Sequence, residues 1–438
     1  MKAAVQAAVA ATRSAHKDLV ARWNSSTGIE RATTVLLAFM IVGGVILRIQ
    51  GIGFPPRLTF DEQFYGPTSH HFLSGVPDLH DYHPPLGKLL GAIGLLLYGF
   101  NSLGWRFAYL CFGLQTLVIA YFLAREIFAD RRAGWFAAAF FAADGFFISY
   151  SRAGLIDGML TCLVLWSMLA IVTARTWRGV LATAVLLGAA ASIKWSGAMT
   201  LIPATVALLV LRRVRWYQMF WFAVTPVVHL AIWIAGLRLM GHANDVTSLW
   251  AVLSNSFTSL AATGVYSNPL ASSWYTWPLL YHPIVVKLAQ HGAHSHYASS
   301  AGNPVFWFPA SFVVLGLPLA KGAALVKERW RHWWPNHFDP TFTRAAMLLS
   351  LGWLALIVMW SMVLGKHSFF YHYQPSYGFA LVLLAGFVAK LERRDAGAVL
   401  AYVGLAVLVA IFFAPVWGEF ALSELEANRR LIFLPWRP

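Results

Sequence analysis

Asp61 and Glu62 stand side by side in Phe60-Asp61-Glu62-Gln63-Phe64-Tyr65-Gly66, soon after an apolar run that carries Arg48 near its end. A carboxylate near a low-dielectric boundary is costly without a partner or a task. There it can take the proton of a hydroxyl nucleophile or coordinate a cation; an ordinary solvated acidic loop would look the same. Next comes Asp81-Tyr82-His83-Pro84-Pro85-Leu86-Gly87-Lys88. Its two prolines fix their own φ and donate no backbone hydrogen bond, so they can hold His83 and Lys88 in set directions or simply turn the chain into an interfacial helix. Asp144, Ser151, Arg152 and Asp157 follow within an apolar stretch, where ionisable groups mark a functional site or a structural Arg152–Asp157 ion pair. Lys194, in Ser192-Ile193-Lys194-Trp195-Ser196-Gly197, is a lone cation that can bind phosphate or snorkel to headgroups. Lys366-His367-Ser368-Phe369-Phe370-Tyr371-His372-Tyr373-Gln374-Pro375 puts hydroxyls and imidazoles between two apolar runs, or builds an aromatic belt.

A second histidine set, His242, His282, His291, His294 and His296, has metal-like spacing at 291–296 but no Cys or carboxylate company. No metal site is assigned there, and Trp274, Trp277 and the nearby tyrosines are read as an amphipathic interfacial segment. Cys111 and Cys162 both lie inside apolar runs, which gives no disulfide framework.

These residues need elements to hold them. Of 438 residues, 58% are hydrophobic and 12% charged, with a mean hydropathy of +0.61. Soluble chains carry about a quarter charged residues, so disorder and a soluble enzyme are excluded. Apolar runs of spanning length lie at 33–50, 105–124, 133–150, 155–174, 180–196, 198–211, 216–236, 304–326, 345–365, 377–391 and 397–415. They predict an all-α polytopic membrane protein with about eleven spans, the two short runs meeting in a bend at Lys194. With the N-terminus inside, Arg125/Arg131/Arg132, Arg175/Arg178, Arg212/Arg213/Arg215, Lys327/Arg329/Arg331 and Arg393/Arg394 all fall on the cytoplasmic side. The net charge of +15 is then the positive-inside rule at work, and nucleic acid is not needed. The chain divides into a basic cytoplasmic segment (1–32) without a cleavable signal, a membrane domain (33–415) and an external tail (416–438). Its large external segments are 51–104 and 237–303.

In order and spacing, Asp61-Glu62, HPPLGK at 83–88, Ser151-Arg152 with Leu155-Ile156-Asp157, Lys194-Trp195-Ser196-Gly197, Asn303-Pro304-Val305-Phe306-Trp307 and Phe370-Tyr371-His372-Tyr373-Gln374-Pro375 resemble the protein O-mannosyltransferase family. These are polyprenol-dependent glycosyltransferases of the GT-C fold. The 237–303 segment is too short for the luminal MIR domain of eukaryotic members, so the resemblance is to a compact bacterial form. Where the family often has a His-His-Tyr-Leu-Pro-like string, this chain has Tyr371-His372-Tyr373-Gln374-Pro375.

The resemblance implies inverting transfer of mannose from a polyprenyl-phosphate donor to a Ser or Thr hydroxyl of a translocated protein, at the external face of the inner membrane. It implies Asp61 as the base and Glu62 as the group orienting acceptor or base. Arg152 is expected first at the donor phosphate, with Lys194, Lys88 and Arg48 as further cations; Asp81, His83, Asp157, Tyr371, His372 and Tyr373 are expected at the substrates. No cofactor is required by this reading, a divalent metal is left open, and members of the family often act as dimers. A GT-C enzyme with another lipid-linked sugar, or a lipid or polysaccharide acceptor, is the alternative. A transporter would favour paired repeats and charges at the midplane, and neither is evident.

Overall fold

A computed structural model describes residues 26–76, 83–241, 250–251, 254, 268–326, 338–362 and 368–431. Asp81, His242, Lys366, His367 and the 327–331 basic cluster lie outside the described residues. The helices are α1 (Gly28–Ile49), α2 (Glu62–Ser74), α3 (Leu86–Tyr98), α4 (Ser102–Phe128), α5 (Arg131–Ala142), α6 (Gly145–Arg152), α7 (Ile156–Thr173) and α8 (Trp177–Ile193). They continue with α9 (Leu201–Leu211), α10 (Val224–Leu239), α11 (Pro304–Val326), α12 (Pro340–Met362), α13 (Gln374–Glu392), α14 (Ala396–Trp417) and α15 (Glu424–Arg430).

Local chemistry starts these helices where the sequence supplies a cap. Thr27 and Glu30 form a capping box on α1, Asn101 accepts from the Leu103 and Gly104 amides of α4, and Asp130 accepts from the Arg132 amide of α5. Length and apolar surface then fix the architecture. Among the described residues, eight helices are long and apolar enough to cross a bilayer, and the α5–α6 pair, bent by 61°, makes a ninth. This is a multi-pass membrane protein. The two runs meeting at Lys194 are the shorter helical stretches Trp177–Ile193 and Trp195–Leu211, so length and composition alone give eight or nine crossings among the described residues; the expected eleven includes these two short stretches. α7 and α13 are central, while Val35, Phe39, Val42 and Ile46 of α1 and Leu405, Leu408 and Ile411 of α14 stay exposed, as a lipid-facing stripe must.

The α5–α6 bend has a chemical cause. A helix that stops leaves carbonyls without partners, and one that starts leaves amides. The side chain of Asp144 caps the Phe146 amide at 3.0 Å, while its second oxygen accepts from the Asn303 amide and the Tyr377 hydroxyl, each at 2.9 Å. On the other side of the break, the Arg48 guanidinium donates to the Phe141 and Ala142 carbonyls at 2.7 and 2.9 Å, to Gly44 at 2.9 Å and to Ser151 Oγ at 3.2 Å. Asp144 and Arg48, both fully buried, therefore replace the backbone bonds lost at the bend.

The 285–299 part of the His-rich segment is not a loop. It forms an antiparallel hairpin, β1 (Val285–His291) and β2 (His294–Ser299), closed by Gly292 at φ +58° and joined on its β2 edge by β3 (Ala421–Ser423) from the tail. His291 and His294 are paired neighbours across the turn, and His296 Nδ1 bonds the Glu419 carbonyl at 2.8 Å. The Trp274–Leu279 segment is a 3-10 turn that only half fits the interfacial expectation. Tyr275 and Leu279 are exposed, but Trp277 is wholly buried and its carbonyl accepts from Trp307 Nε1 at 3.0 Å.

Candidate active site

Asp61 occupies the N-cap position of α2 but makes no side-chain cap bond, so its carboxylate is left to the space beyond the helix. It is mostly buried, and two charges act on it, those of Asp157 and Lys194. Asp157 enters from the first turn of α7. Lys194 comes from the break after α8, where an extended residue (φ −154°, ψ 138°) interrupts the helical path. Its ammonium lies 2.9 Å from Asp157 Oδ1 and 5.1 Å from the centre of the Tyr371 ring. Both side chains of this pair are almost completely out of solvent.

Aromatic walls complete the cluster. Tyr371 sits on the 3-10 turn Phe370–Tyr373 and meets Phe60 and Tyr150, each at 6.3 Å between ring centres. Tyr65, one turn into α2, feels the charges of Asp61 and Asp157 and faces the His83 ring at 6.2 Å. The HPPLGK segment is held against the same place, because Gly87 packs on Ile156 and Ile193, the chain neighbours of Asp157 and Lys194. A Cβ at Gly87 would come within 2.8 Å of Ile156 Cγ2. Lys88, in the next position, is buried.

Burial in this wall pushes the Asp61 carboxyl up, the nearby Asp157 charge pushes it further, and Lys194 pulls it back, leaving it at about 6. A base with a pKa near the working pH combines a useful deprotonated fraction with real affinity for the proton. Asp61, Asp157, Lys194, Tyr371, Tyr65 and Tyr150 are therefore the group brought together, with His83 behind Tyr65.

Several expected site residues go elsewhere. Glu62 faces away from Asp61: its two oxygens receive Arg106 Nε at 2.7 Å and Nη2 at 2.8 Å, the Gly154 amide at 2.9 Å, and the Thr59 amide and hydroxyl at 3.0 Å. Every acceptor position is used, so Glu62 anchors the loop and is not available to an acceptor. Arg152, expected at the phosphate or on Asp157, pairs with Glu419, while Asp157 pairs with Lys194. Arg152 Nη1 donates to the Leu47 and Gln50 carbonyls at 2.5 Å, and Nη2 reaches the Gly51 carbonyl at 3.4 Å and Glu419 at 3.3 Å. It closes the C-terminal end of α1 and ties down the tail, where burial pushes the Glu419 carboxyl up against the opposing pull of Arg152. Arg48 is spent on the α5–α6 bend. His372 is stacked on Trp360 at 3.8 Å, and Tyr373 is fully buried with its hydroxyl accepting from Trp353 Nε1 at 2.9 Å. Tyr373 is a packing residue, whereas His372 accepts from the Phe369 amide at 3.2 Å and lies beside Tyr371, with 4.6 Å between ring centres.

Arg106 is the residue that sequence reasoning missed. Besides Glu62 it donates to the Ile52, Phe54 and Arg57 carbonyls at 3.0, 2.7 and 3.3 Å, gathering the whole segment that leads to Asp61. Its signal was present, a cation at the edge of an apolar run, the same signal that singled out Arg152.

Two family models match in tandem. Residues 82–237 match the dolichyl-phosphate-mannose-protein mannosyltransferase model, and residues 246–425 match the C-terminal four-transmembrane region of protein O-mannosyltransferase. The chain belongs to the protein O-mannosyltransferase family. The polyprenol-phosphate-mannose–protein mannosyltransferase of Mycolicibacterium smegmatis is 24% identical over 496 residues, covering 92% of each chain. That of Mycobacterium tuberculosis is 24% identical over 471 residues, covering 86% of each. In three dimensions the chain is similar to a protein of the Saccharomyces cerevisiae protein O-mannosyltransferase Pmt1-Pmt2 complex, whose structure was solved with the sugar donor bound. The TM-score is 0.78 at 13% identity, over 94% of this chain and 93% of that one. ArnT from Cupriavidus metallidurans bound to undecaprenyl phosphate is more distant, with a TM-score of 0.60 at 15% identity, over 88% and 77% of the two chains. These neighbours give this family member the GT-C fold.

Within that family frame, the separation of roles yields a test. Arg48→Leu should lower thermal stability, because the Phe141 and Ala142 carbonyls lose their partners at about 1–3 kcal/mol per buried group. Donor affinity of the folded fraction should stay unchanged. A weakened donor affinity at unchanged melting temperature would return Arg48 to the phosphate site.

Proposed function

We propose that this protein moves mannose from polyprenyl-phosphate mannose to Ser or Thr hydroxyls of proteins emerging at the external face of the cytoplasmic membrane, with Asp61 as the base. The observation that carries this reading is Asp61 itself: a carboxylate at the N-cap of α2 that makes no cap bond, raised to about 6, beside a buried Asp157–Lys194 pair and a tyrosine wall. The acceptor oxygen attacks C1 of the sugar on the face opposite the phosphate, the C1–O bond to phosphate breaks, and the configuration inverts. An alcohol holds its proton too tightly to attack efficiently at neutral pH, so Asp61 takes that proton as the new bond forms.

The leaving group is a lipid phosphate that must carry its charge beside hydrocarbon. Lys194 is the cation facing the cluster and takes the role the sequence had given to Arg152, with Lys88 from the adjacent HPPLGK helix as second candidate. The tyrosine faces around Lys194 suit a sugar ring, and the apolar spans hold the polyprenyl chain while its headgroup meets an aqueous acceptor.

The deciding measurement is transfer of labelled mannose from synthetic polyprenyl-phosphate mannose to a Ser/Thr-rich peptide, run beside other polyprenyl-phosphate sugars and repeated with EDTA. Mannose transfer by the wild-type protein is the expected result. Transfer of a different sugar only, by folded protein, would replace mannose in this reading while leaving the Asp61 chemistry intact.

Lys194→Met should cut donor affinity, and it should also strand Asp157 as an unpaired buried charge, at a cost of about 3–5 kcal/mol. Adding Asp157→Asn removes that second effect. The double variant is expected to regain stability without regaining donor binding, which separates phosphate contact from folding.

A further inference from the structure

The helices that carry the catalytic cluster at one end form a cleft at the other. Asp157 opens α7 and Lys194 follows α8, whereas this cleft lies where α7 ends and α8 begins, about 27 Å away along the 18 residues of α7. It holds about 920 Å³. Its walls are apolar: Phe122 of α4, Trp166 and Leu169 of α7, and Leu181 and Val185 of α8. Phe122, Trp166 and Val185 keep 36%, 37% and 42% of their surface exposed, which suits lipid and not water. Its mouth is cationic. Arg125, Arg175 and Arg178 line it against a single acid, Glu126.

Arg125 is neutralised by Glu126, at 2.5 Å. Arg175 rests on the Val172, Thr173 and Ala174 carbonyls at 3.3–3.5 Å, and Arg178 lies over the Trp177 ring at 5.6 Å. Neither has a carboxylate partner among the described residues. Trp177 stacks on Trp221 at 5.1 Å, an aromatic pair of the kind that marks the interface of a bilayer. A soluble anion would use the mouth and leave the walls bare. An anionic phospholipid would satisfy both, with its phosphodiester on the arginines and an acyl chain along the apolar wall.

We propose that this inner-face cleft is a binding site for one anionic phospholipid, headed by Arg175 and Arg178 and lined by Phe122, Trp166 and Val185. It lies apart from the donor and acceptor sites and does not depend on the identity of the transferred sugar.

The test is native mass spectrometry of the full-length protein equilibrated with phosphatidylglycerol and phosphatidylcholine at equal mole fraction. The wild type is expected to retain one phosphatidylglycerol in preference. Arg175→Gln with Arg178→Gln should weaken that retention about fivefold per arginine. Arg393→Gln with Arg394→Gln, on the same face but outside the cleft, should leave it intact. Ala182→Trp fills the cleft without touching a charge and should also reduce retention; Val185→Trp, at a more exposed position, does the same if the first variant folds poorly. Equal loss in the Arg393/Arg394 control would mean diffuse surface attraction and overturn the site. Full retention in both cleft-filling variants, or displacement of the lipid by excess inorganic phosphate, would overturn it in favour of a headgroup-only anion site.

Discussion

Asp61→Asn should reduce mannose transfer by about two to four orders of magnitude, the usual worth of a positioned general base, while donor binding stays close to wild type. The substitution keeps the shape and removes only the proton acceptor. Its effect should also be visible in the pH profile. A base works deprotonated, and burial together with Asp157 holds the Asp61 carboxyl at about 6, so wild-type transfer should climb as pH rises through that value. The variant's residual activity should lack that limb.

Stability should move in the opposite sense. A carboxyl whose pKa is raised on folding binds its proton more tightly in the folded state, so its burden on the fold grows as pH rises from the ordinary carboxylate value through about 6. Asp61→Asn removes the burden and should unfold no earlier than wild type at pH 7 to 8. A variant that loses transfer together with its melting temperature would move Asp61 from the chemistry to the scaffold.

The neighbouring carboxylate should behave in the opposite way. Glu62→Gln breaks a buried pair with Arg106 in which neither side chain exposes more than 3% of its surface. It leaves a guanidinium without its counter-charge, at a cost of about 3–5 kcal/mol. Arg106→Leu should cost a similar amount from the other side. Joining Arg106→Leu to Glu62→Leu removes both charges and should recover part of the loss; the bonds to Thr59, Gly154 and the Ile52–Arg57 carbonyls stay missing. Thermal unfolding in detergent, with transfer scored per folded molecule, distinguishes the two carboxylates. Wild-type stability with lost transfer in Glu62→Gln would put Glu62 back beside the acceptor.

The contrast between Asp61 and Glu62 explains how far the sequence could be read. An ionisable residue in apolar surroundings needs a partner or a task, and that rule found Asp61, Asp157 and Lys194 as well as Arg48, Arg152 and Glu62. It could not sort them, because the partners of the second group are mostly backbone atoms. Arg48 answers carbonyls freed by the break at Asp144, and Arg152 answers those at the end of α1; a hydropathy pattern shows where apolar chain runs but not where its hydrogen bonds stop. Arg106 carried the same signal and was passed over because it lies at the margin of its run, where cations are expected to meet water. The β1–β2 hairpin hid for a related reason. Its imidazoles drew attention to metal chemistry, while the strand pairing was written in the alternation of His294-Ser295-His296-Tyr297-Ala298-Ser299 and in a glycine that closes the turn. The family motifs, by contrast, lie in contiguous stretches, and contiguous stretches are what a sequence displays best.

The interruption at Lys194 also shapes the lipid around it. α8 has 17 residues, and the stretch after the break has six in 3-10 and eleven in α conformation. At 1.5 Å per residue α8 covers about 26 Å, short of a hydrocarbon core about 30 Å thick. A bilayer meeting so short a wall thins to match it. If the donor phosphate binds Lys194 as proposed, such a dimple would lower the headgroup plane beside the cation, and the phosphate would reach it without sinking through hydrocarbon. Membrane thickness thereby becomes a variable of this enzyme, and reconstitution into lipids of longer acyl chain should slow donor loading before it changes the chemical step.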